Sequence, residues 1–282
     1  MNAVSGVRTG LVLGSSSPRR SALLRQIGAD FELRTAETDE TIFGSPGPGE
    51  YVSAIARRKA KAISLLIAGD NNLWAKYERV IIICADTIVV ERGGGILGKP
   101  KDDADAKRML KLLSGSWHEV YTGVALKETR KPRSADPNAD VRSAVGDADY
   151  RSAIGNADDV DSDDANAYAD ASANADDKGA VADGHTTAGE LVEFEKTRVK
   201  MCEISDETID SYIASGEPYG KAGAYAVQGA GSLFIERVDG CYYNVVGLPL
   251  HLLNSMLGVL GYNLIKRASL TAPPATHVGS RK

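Results

Sequence analysis

Val80-Ile81-Ile82-Ile83-Cys84-Ala85-Asp86-Thr87-Ile88-Val89-Val90 is a nearly unbroken apolar run, rich in β-branched residues, with one carboxylate set inside it. Continuous runs of this kind mark a central strand covered on both faces, the core of an α/β layer structure. Asp86 is the exception. A carboxylate behind so apolar a run is costly to bury unpaired, so it must lie at a strand edge or hold a partner. It then caps a strand end, binds a metal or acts as a base.

Upstream, Leu11-Val12-Leu13 precedes Ser15-Ser16-Ser17-Pro18-Arg19-Arg20. Pro18 suits the first position of a helix, because its φ is fixed and its missing N–H would be orphaned there anyway. Ser17 is then the N-cap, Leu23, Leu24 and Ile27 the buried stripe, and Gly28 the stop. The arginines have the wrong sign for a helix start, each opposing the macrodipole at roughly 0.3–1 kcal/mol. N–H groups, serine hydroxyls and guanidinium forks gathered at one helix start describe an anion site, phosphate above all. The plainer alternative is a solvated arginine pair.

Further elements alternate along the chain. Apolar spacing predicts helices over Tyr51–Ile67, with Ala54, Ile55, Ala62, Leu65 and Leu66, and over Asp103–Leu113, with Met109, Leu110 and Leu113 inward. Leu191–Met201 has strand character, Ser205 caps a helix ended by Gly216, and Ser232–Val238 reads as a strand entering a hairpin at Asp239-Gly240. Pro249 opens a last helix with Leu250, Leu253, Leu257 and Leu260 on one face. Mixed α/β layers follow. Lys99-Pro100, after Gly93-Gly94-Gly95, makes a backbone-fixed cation suited to a phosphate. Lys59 sits on a helix, most simply on its solvated face, and Asp39-Glu40 lies in a loop beyond Phe31–Arg34. The glycine-rich passage Gly216–Gly229 fits no Walker or dinucleotide pattern. Its Gln228 offers both a donor and an acceptor for a base edge, unless the passage is an irregular surface loop.

The 282 residues suffice for a substantial core. No apolar run is long enough to span a membrane, and no secretory leader is visible, so a cytoplasmic setting is expected. Cys84, Cys202 and Cys241 are odd in number and far apart, against a disulfide framework or metal knuckle. The four histidines show no zinc spacing. The net charge of −5 is unevenly spread: residues 134–190 hold fourteen acidic and three basic residues, −11, which leaves +6 elsewhere. A mildly basic body suits an anionic ligand, without stable nucleic-acid binding. Residues 128–189 are poor in apolar groups and carry a nine-residue repeat at Arg133-Ser134-Ala135, Arg142-Ser143-Ala144 and Arg151-Ser152-Ala153. Such a composition predicts a disordered insert, and residues 266–282 a flexible tail.

Taken in order, Leu13–Arg20, Asp39-Glu40, Ala56–Ala60, Ala85–Val89, Gly98-Lys99-Pro100, Leu113-Ser114-Gly115, Thr122-Gly123-Val124, Gly216-Glu217-Pro218, Lys221–Tyr225, Gln228-Gly229 and Val246–Leu250 resemble the Maf family of nucleoside triphosphate pyrophosphatases. The ordered set spans 9–127 and 190–262 and implies one catalytic domain interrupted by the insert. The resemblance implies a mixed-sheet, inosine-triphosphatase-like α/β fold with two lobes around a cleft, usually in a homodimer. It implies hydrolysis between the α- and β-phosphates with Mg²⁺ or Mn²⁺. Asp86 matches the proton acceptor and, with Glu40, a metal ligand. Ser15, Ser17, Arg20, Lys59 and Lys99 match positions expected to hold the triphosphate. Arg19, Thr87 and Gln228 match the branch acting on dTTP and UTP rather than the branch acting on 7-methyl-GTP. A non-catalytic nucleotide-binding regulator of cell division is the competing role. Gly14 stands where alanine is usual, an exchange expected to be harmless.

Overall fold

The computed structural model describes residues 7–42, 44–132 and 189–266, so the repeats and the tail beyond Lys266 lie outside the described residues. Strands β1 (Thr9–Gly14), β2 (Glu32–Arg34), β3 (Arg79–Val90), β4 (Ile96–Leu97), β5 (Trp117–Arg130), β6 (Glu190–Met201) and β7 (Ile235–Asp239) form one seven-stranded sheet. The helices are α1 (Pro18–Gln26), α2 (Pro48–Ala68), α3 (Asn71–Lys76), α4 (Asp103–Leu113), α5 (Asp206–Ala214), α6 (Tyr242–Val246) and α7 (Leu250–Val259). None among the described residues is long and apolar enough to cross a membrane.

The sheet is mixed, as expected. Its order is β2-β1-β3-β5-β6-β7, with β4 beside β3. β1 runs parallel to β2 and β3, whereas β5, β6 and β7 follow antiparallel. One edge of β3 is shared by two partners. β1 pairs with it from Arg79 to Ile83, and β4 with Val89 and Val90. Among the described residues, Cys84 to Ile88 pair with no strand on that edge. The gap lies just beyond the carboxyl end of β1, where the chain turns into α1. Open α/β sheets bind ligands in such crevices.

Alternate residues of β3 serve opposite layers. Ile81 and Ile83 join Leu11, Leu13, Leu23, Leu24, Leu253 and Leu257 on the side of α1 and α7. Val80, Ile82 and Cys84 join Ala56, Ala60, Ile63, Ile67 and Trp74 on the side of α2 and α3. The far end of the sheet builds another core, with Val89, Val120 and Met201 against Leu110, Leu113, Ile209 and Tyr212 of α4 and α5.

α2 buries Val52, Ile55, Ala56, Ala60, Ile63 and Ile67, and Leu66, expected among its packed residues, faces solvent. The helix approaches the sheet so closely that a Cβ on Gly123 would stand 2.4 Å from the Val52 carbonyl oxygen. Gly14 also sits against close neighbours: a Cβ there would stand 2.4 Å from Cys84 Sγ and 2.7 Å from Ile63 Cγ1, so those side chains would have to shift.

Three expectations require correction. Ser232 to Phe234 belong to a 3-10 turn, Gly229–Phe234, and the strand begins at Ile235. The Glu217 carboxylate accepts the Ala230 and Gly231 N–H groups and so holds that segment out of the sheet. Asp239-Gly240 closes no hairpin, because the chain enters α6 after Cys241. Thr197 of β6 accepts the Cys241 N–H at 3.0 Å and fixes that departure. Composition also places foreign material from Glu128 onward, yet β5 continues to Arg130 and the Glu128 N–H donates to the Gly189 carbonyl at 2.7 Å.

Candidate active site

The crevice beside β3 is a cavity of about 750 Å³. All ten residues singled out in the sequence line it: Ser15, Ser17, Arg19 and Arg20 from the β1–α1 junction, Glu40 from the loop after β2, and Lys59 from α2. Asp86 and Thr87 of β3, Lys99 after β4, and Gln228 complete the set.

Asp86 is no strand-end cap. It lies within β3, paired in register with Gly123. It holds the partner its position demands: Lys59 Nζ donates to its Oδ1 at 2.7 Å. The same ammonium stands 2.8 Å from Glu40 Oε1. Lys59 is thus no solvated-face lysine, its side chain being only 19% exposed. The absent side chain of Gly123 lets α2 lie close enough for this contact. Arg58 fixes the loop carrying Glu40 by donating to the carbonyls of Asp39 and Thr41. Burial pushes the Glu40 carboxyl up, but the Lys59 hydrogen bond and the charges of Lys59, Lys99 and Arg20 outweigh it and hold it below the ordinary glutamate value.

Ser17 occupies the N-cap position of α1, yet its hydroxyl makes no capping bond and no acidic residue enters the first turn. Nothing within the helix neutralises its positive end. The Ser15 hydroxyl accepts from the Ser17 N–H at 3.2 Å and from Arg20 Nη1 at 3.3 Å. Arg20 is held by Gly247 and Thr87 as well. Burial draws its guanidinium below the ordinary arginine value, with Asp86 opposing and Arg19 adding to the shift. Burial lowers Arg19 too, against the Tyr212 hydroxyl. Neither the Arg19 nor the Lys99 side chain has a hydrogen-bond or ion-pair partner among the described residues, and both line the cavity, so both cations are available to an anion. Thr87, expected to touch substrate, lines the cavity, and its hydroxyl accepts from Arg20 Nη2 at 3.0 Å.

The glycine-rich passage is not an irregular surface loop. Gly223 to Val227 are buried, and Gln228 is exposed at the cavity rim. Glu217 organises the passage by accepting from the Tyr212 hydroxyl at 3.0 Å as well as from the Ala230 and Gly231 N–H groups. Lys221 also lines the cavity and was not singled out beforehand. Burial and then the charge of Arg19 lower its ammonium, against a weaker pull from Glu217. Its only signal was its place in the Lys221–Tyr225 motif.

Behind the cavity, His118 Nε2 and the Tyr225 hydroxyl share a buried hydrogen bond of 2.7 Å. Burial lowers the imidazole from 6.5 to about 4. Unfolded His118 takes up a proton below about 6.5, whereas the folded residue waits until about 4. Stability is therefore complete above 6.5 and declines as pH falls toward 4, by about 3 kcal/mol in all. Denaturant unfolding at neutral pH and near pH 4.5 is expected to show that loss, and His118→Gln to shrink it. An equal loss in the variant refutes the assignment.

Fold and crevice together define a mixed α/β protein that gathers cations and two carboxylates beside an uncapped helix start. The chain belongs to the Maf family, the profile of Maf-like proteins matching residues 10–193 and 162–260. It is 38% identical over 256 residues to a protein of Caldicellulosiruptor bescii named dTTP/UTP pyrophosphatase, covering 91% of this chain and 97% of that one. Proteins of the same name from Acetivibrio thermocellus and Pelotomaculum thermopropionicum are each 37% identical, covering 91% and 90% of this chain and 98% of each relative.

Proposed function

We propose that this chain hydrolyses dTTP and UTP between the α- and β-phosphates, yielding the nucleoside monophosphate and pyrophosphate. The observation that carries the reading is Lys59 holding both Asp86 and Glu40, at 2.7 and 2.8 Å, in one cavity with Arg19, Arg20 and Lys99. The names of the relatives support it. Through the family resemblance, Arg19, Thr87 and Gln228 favour pyrimidine nucleotides over 7-methyl-GTP.

In this reading Asp86 takes the proton of the attacking water, with Lys59 setting the orientation of its carboxylate. Arg19, Arg20 and Lys99 neutralise the triphosphate and the charge gathering on the leaving pyrophosphate. Ser15, Ser17 and the uncapped start of α1 receive phosphate oxygens. Gln228 meets the base edge at the rim.

The acidic residues suit a hard divalent cation. Lys59 binds one oxygen of each carboxylate, and the second oxygen of each has no partner among the described residues. No cluster of three or more acidic, histidine or cysteine ligands occurs among them. Two carboxylates would suffice for a magnesium ion, which commonly takes only one or two from the protein. Glu40 and Asp86 would hold Mg²⁺ or Mn²⁺, which would supply Lewis acidity toward the phosphoryl group and lower the pKa of bound water. The reading includes a homodimer, as the family resemblance implies, and a cytoplasmic setting.

Pyrophosphate release from UTP, dTTP and 7-methyl-GTP with Mg²⁺ tests the proposal. Turnover of the two pyrimidine nucleotides is expected; none on any nucleotide favours the regulator, and preference for 7-methyl-GTP overturns the branch. The catalytic domain is proposed to work without its insert. β5 and β6 are antiparallel neighbours, with Lys127 opposite Glu190, so a short turn can join them. A chain with residues 134–188 replaced by such a turn is expected to retain UTP turnover within about threefold; loss of activity assigns the insert to the site.

A further inference from the structure

Three of the polar side chains buried in this protein, Thr122, Thr197 and Asn244, belong to no part of the proposed chemistry. Buried polar groups are costly unless satisfied, and a valine would fill the place of Thr122. Their hydrogen bonds explain them. Arg20 Nη2 donates to Thr87 Oγ1 at 3.0 Å, and Thr87 Oγ1 lies 2.9 Å from Thr122 Oγ1, its register partner on β5. Thr122 donates to the Asn244 carbonyl at 3.1 Å. That carbonyl also accepts the Gly247 N–H at 2.9 Å. The Gly247 carbonyl in turn accepts from Arg20 Nε at 2.7 Å. The bonds close into a ring.

The ring has a fixed direction. A carbonyl can only accept, so the single Thr122 proton is committed to Asn244. Thr87 must then donate to Thr122, which turns its lone pairs toward Arg20. Gly247, at φ +119, adopts a backbone conformation that favours glycine and presents its carbonyl to Arg20. Asn244 anchors this turn to the sheet by donating from Nδ2 to the Val120 carbonyl and to Thr197 Oγ1, each at 2.9 Å. Arginine carries five N–H donors. Nε, one N–H of Nη2 and one of Nη1 are occupied by Gly247, Thr87 and Ser15, which leaves one on each terminal nitrogen.

We propose that Thr122, with Asn244 behind it, is a positioning residue that holds Arg20 so that its two remaining N–H groups form a fixed fork for a substrate phosphate. This rests on the assignment of Arg20 to the triphosphate, and the test separates the two. Affinity for α,β-methylene-UTP, a non-hydrolysable analogue, is measured with Mg²⁺ by calorimetry for wild type, Thr122→Val, Thr122→Ser, Arg20→Lys and Arg20→Lys/Thr122→Val. Thr122→Val is expected to weaken binding about tenfold and Thr122→Ser to restore it, since serine keeps the hydroxyl. In the Arg20→Lys background, where the ring is already broken, Thr122→Val is expected to change affinity less than about twofold. Thr122→Ala serves the same comparison if the valine variant folds poorly. Equal losses from Thr122→Val in both backgrounds, or wild-type affinity of Thr122→Val, overturn the positioning role alone. Wild-type affinity of Arg20→Lys overturns the assignment of Arg20 to the phosphates, and the ring's function with it.

Discussion

Asp86→Asn is expected to lower kcat for UTP about a thousandfold, the scale of a lost proton acceptor, while nucleotide affinity survives. The amide keeps the shape of the carboxylate and removes the charge that faces Lys59 at 2.7 Å. Glu40 still holds that lysine at 2.8 Å, so the local packing has reason to persist. Pyrophosphate release measures the first effect, and binding of the methylene analogue the second. Activity within tenfold of wild type would mean that water is activated elsewhere.

Gly123→Ala is the second substitution with a large expected effect, although it touches no ligand. The added Cβ would stand 2.4 Å from the Val52 carbonyl oxygen and 2.7 Å from the Ser53 nitrogen, backbone atoms that no rotamer can move aside. Forcing α2 away is expected to cost about 3 kcal/mol and about 10 °C in Tm, on the scale of severe overpacking in a domain this large. Because Gly123 faces Asp86 in register while Lys59 rides on α2, kcat should fall alongside stability. Thermal denaturation with parallel UTP kinetics checks both. An unchanged melting curve would show that the helix yields at little cost.

The central strand and most helices were legible because their residues obey one local rule each. Pro18 and Gly28 bracket α1, and the Leu110–Leu113 stripe faces inward as its spacing requires. β5 escaped because Thr122 and Gly123 interrupt its apolar character, and both are explained only by distant partners, Asn244 and Val52. The segment at Ser232 misled for a similar reason, its conformation being set by Glu217 from fifteen positions earlier. Among the candidate site residues, each position was readable from its motif, but the contacts were not. Lys59 carries no local sign that it will bridge Asp86 and Glu40, and Thr87 none that its hydroxyl will face Arg20. Those facts belong to the way α1 and α2 dock on β3.

Gly14 and Cys84 bear on how such a scaffold changes over descent. The thiol, whose burial pushes it up to about 12, occupies the space that a methyl group at position 14 would claim. Lineages carrying alanine there should therefore show a smaller neighbour at position 84 or a trimmed side chain at position 63, so that these sites drift together rather than independently.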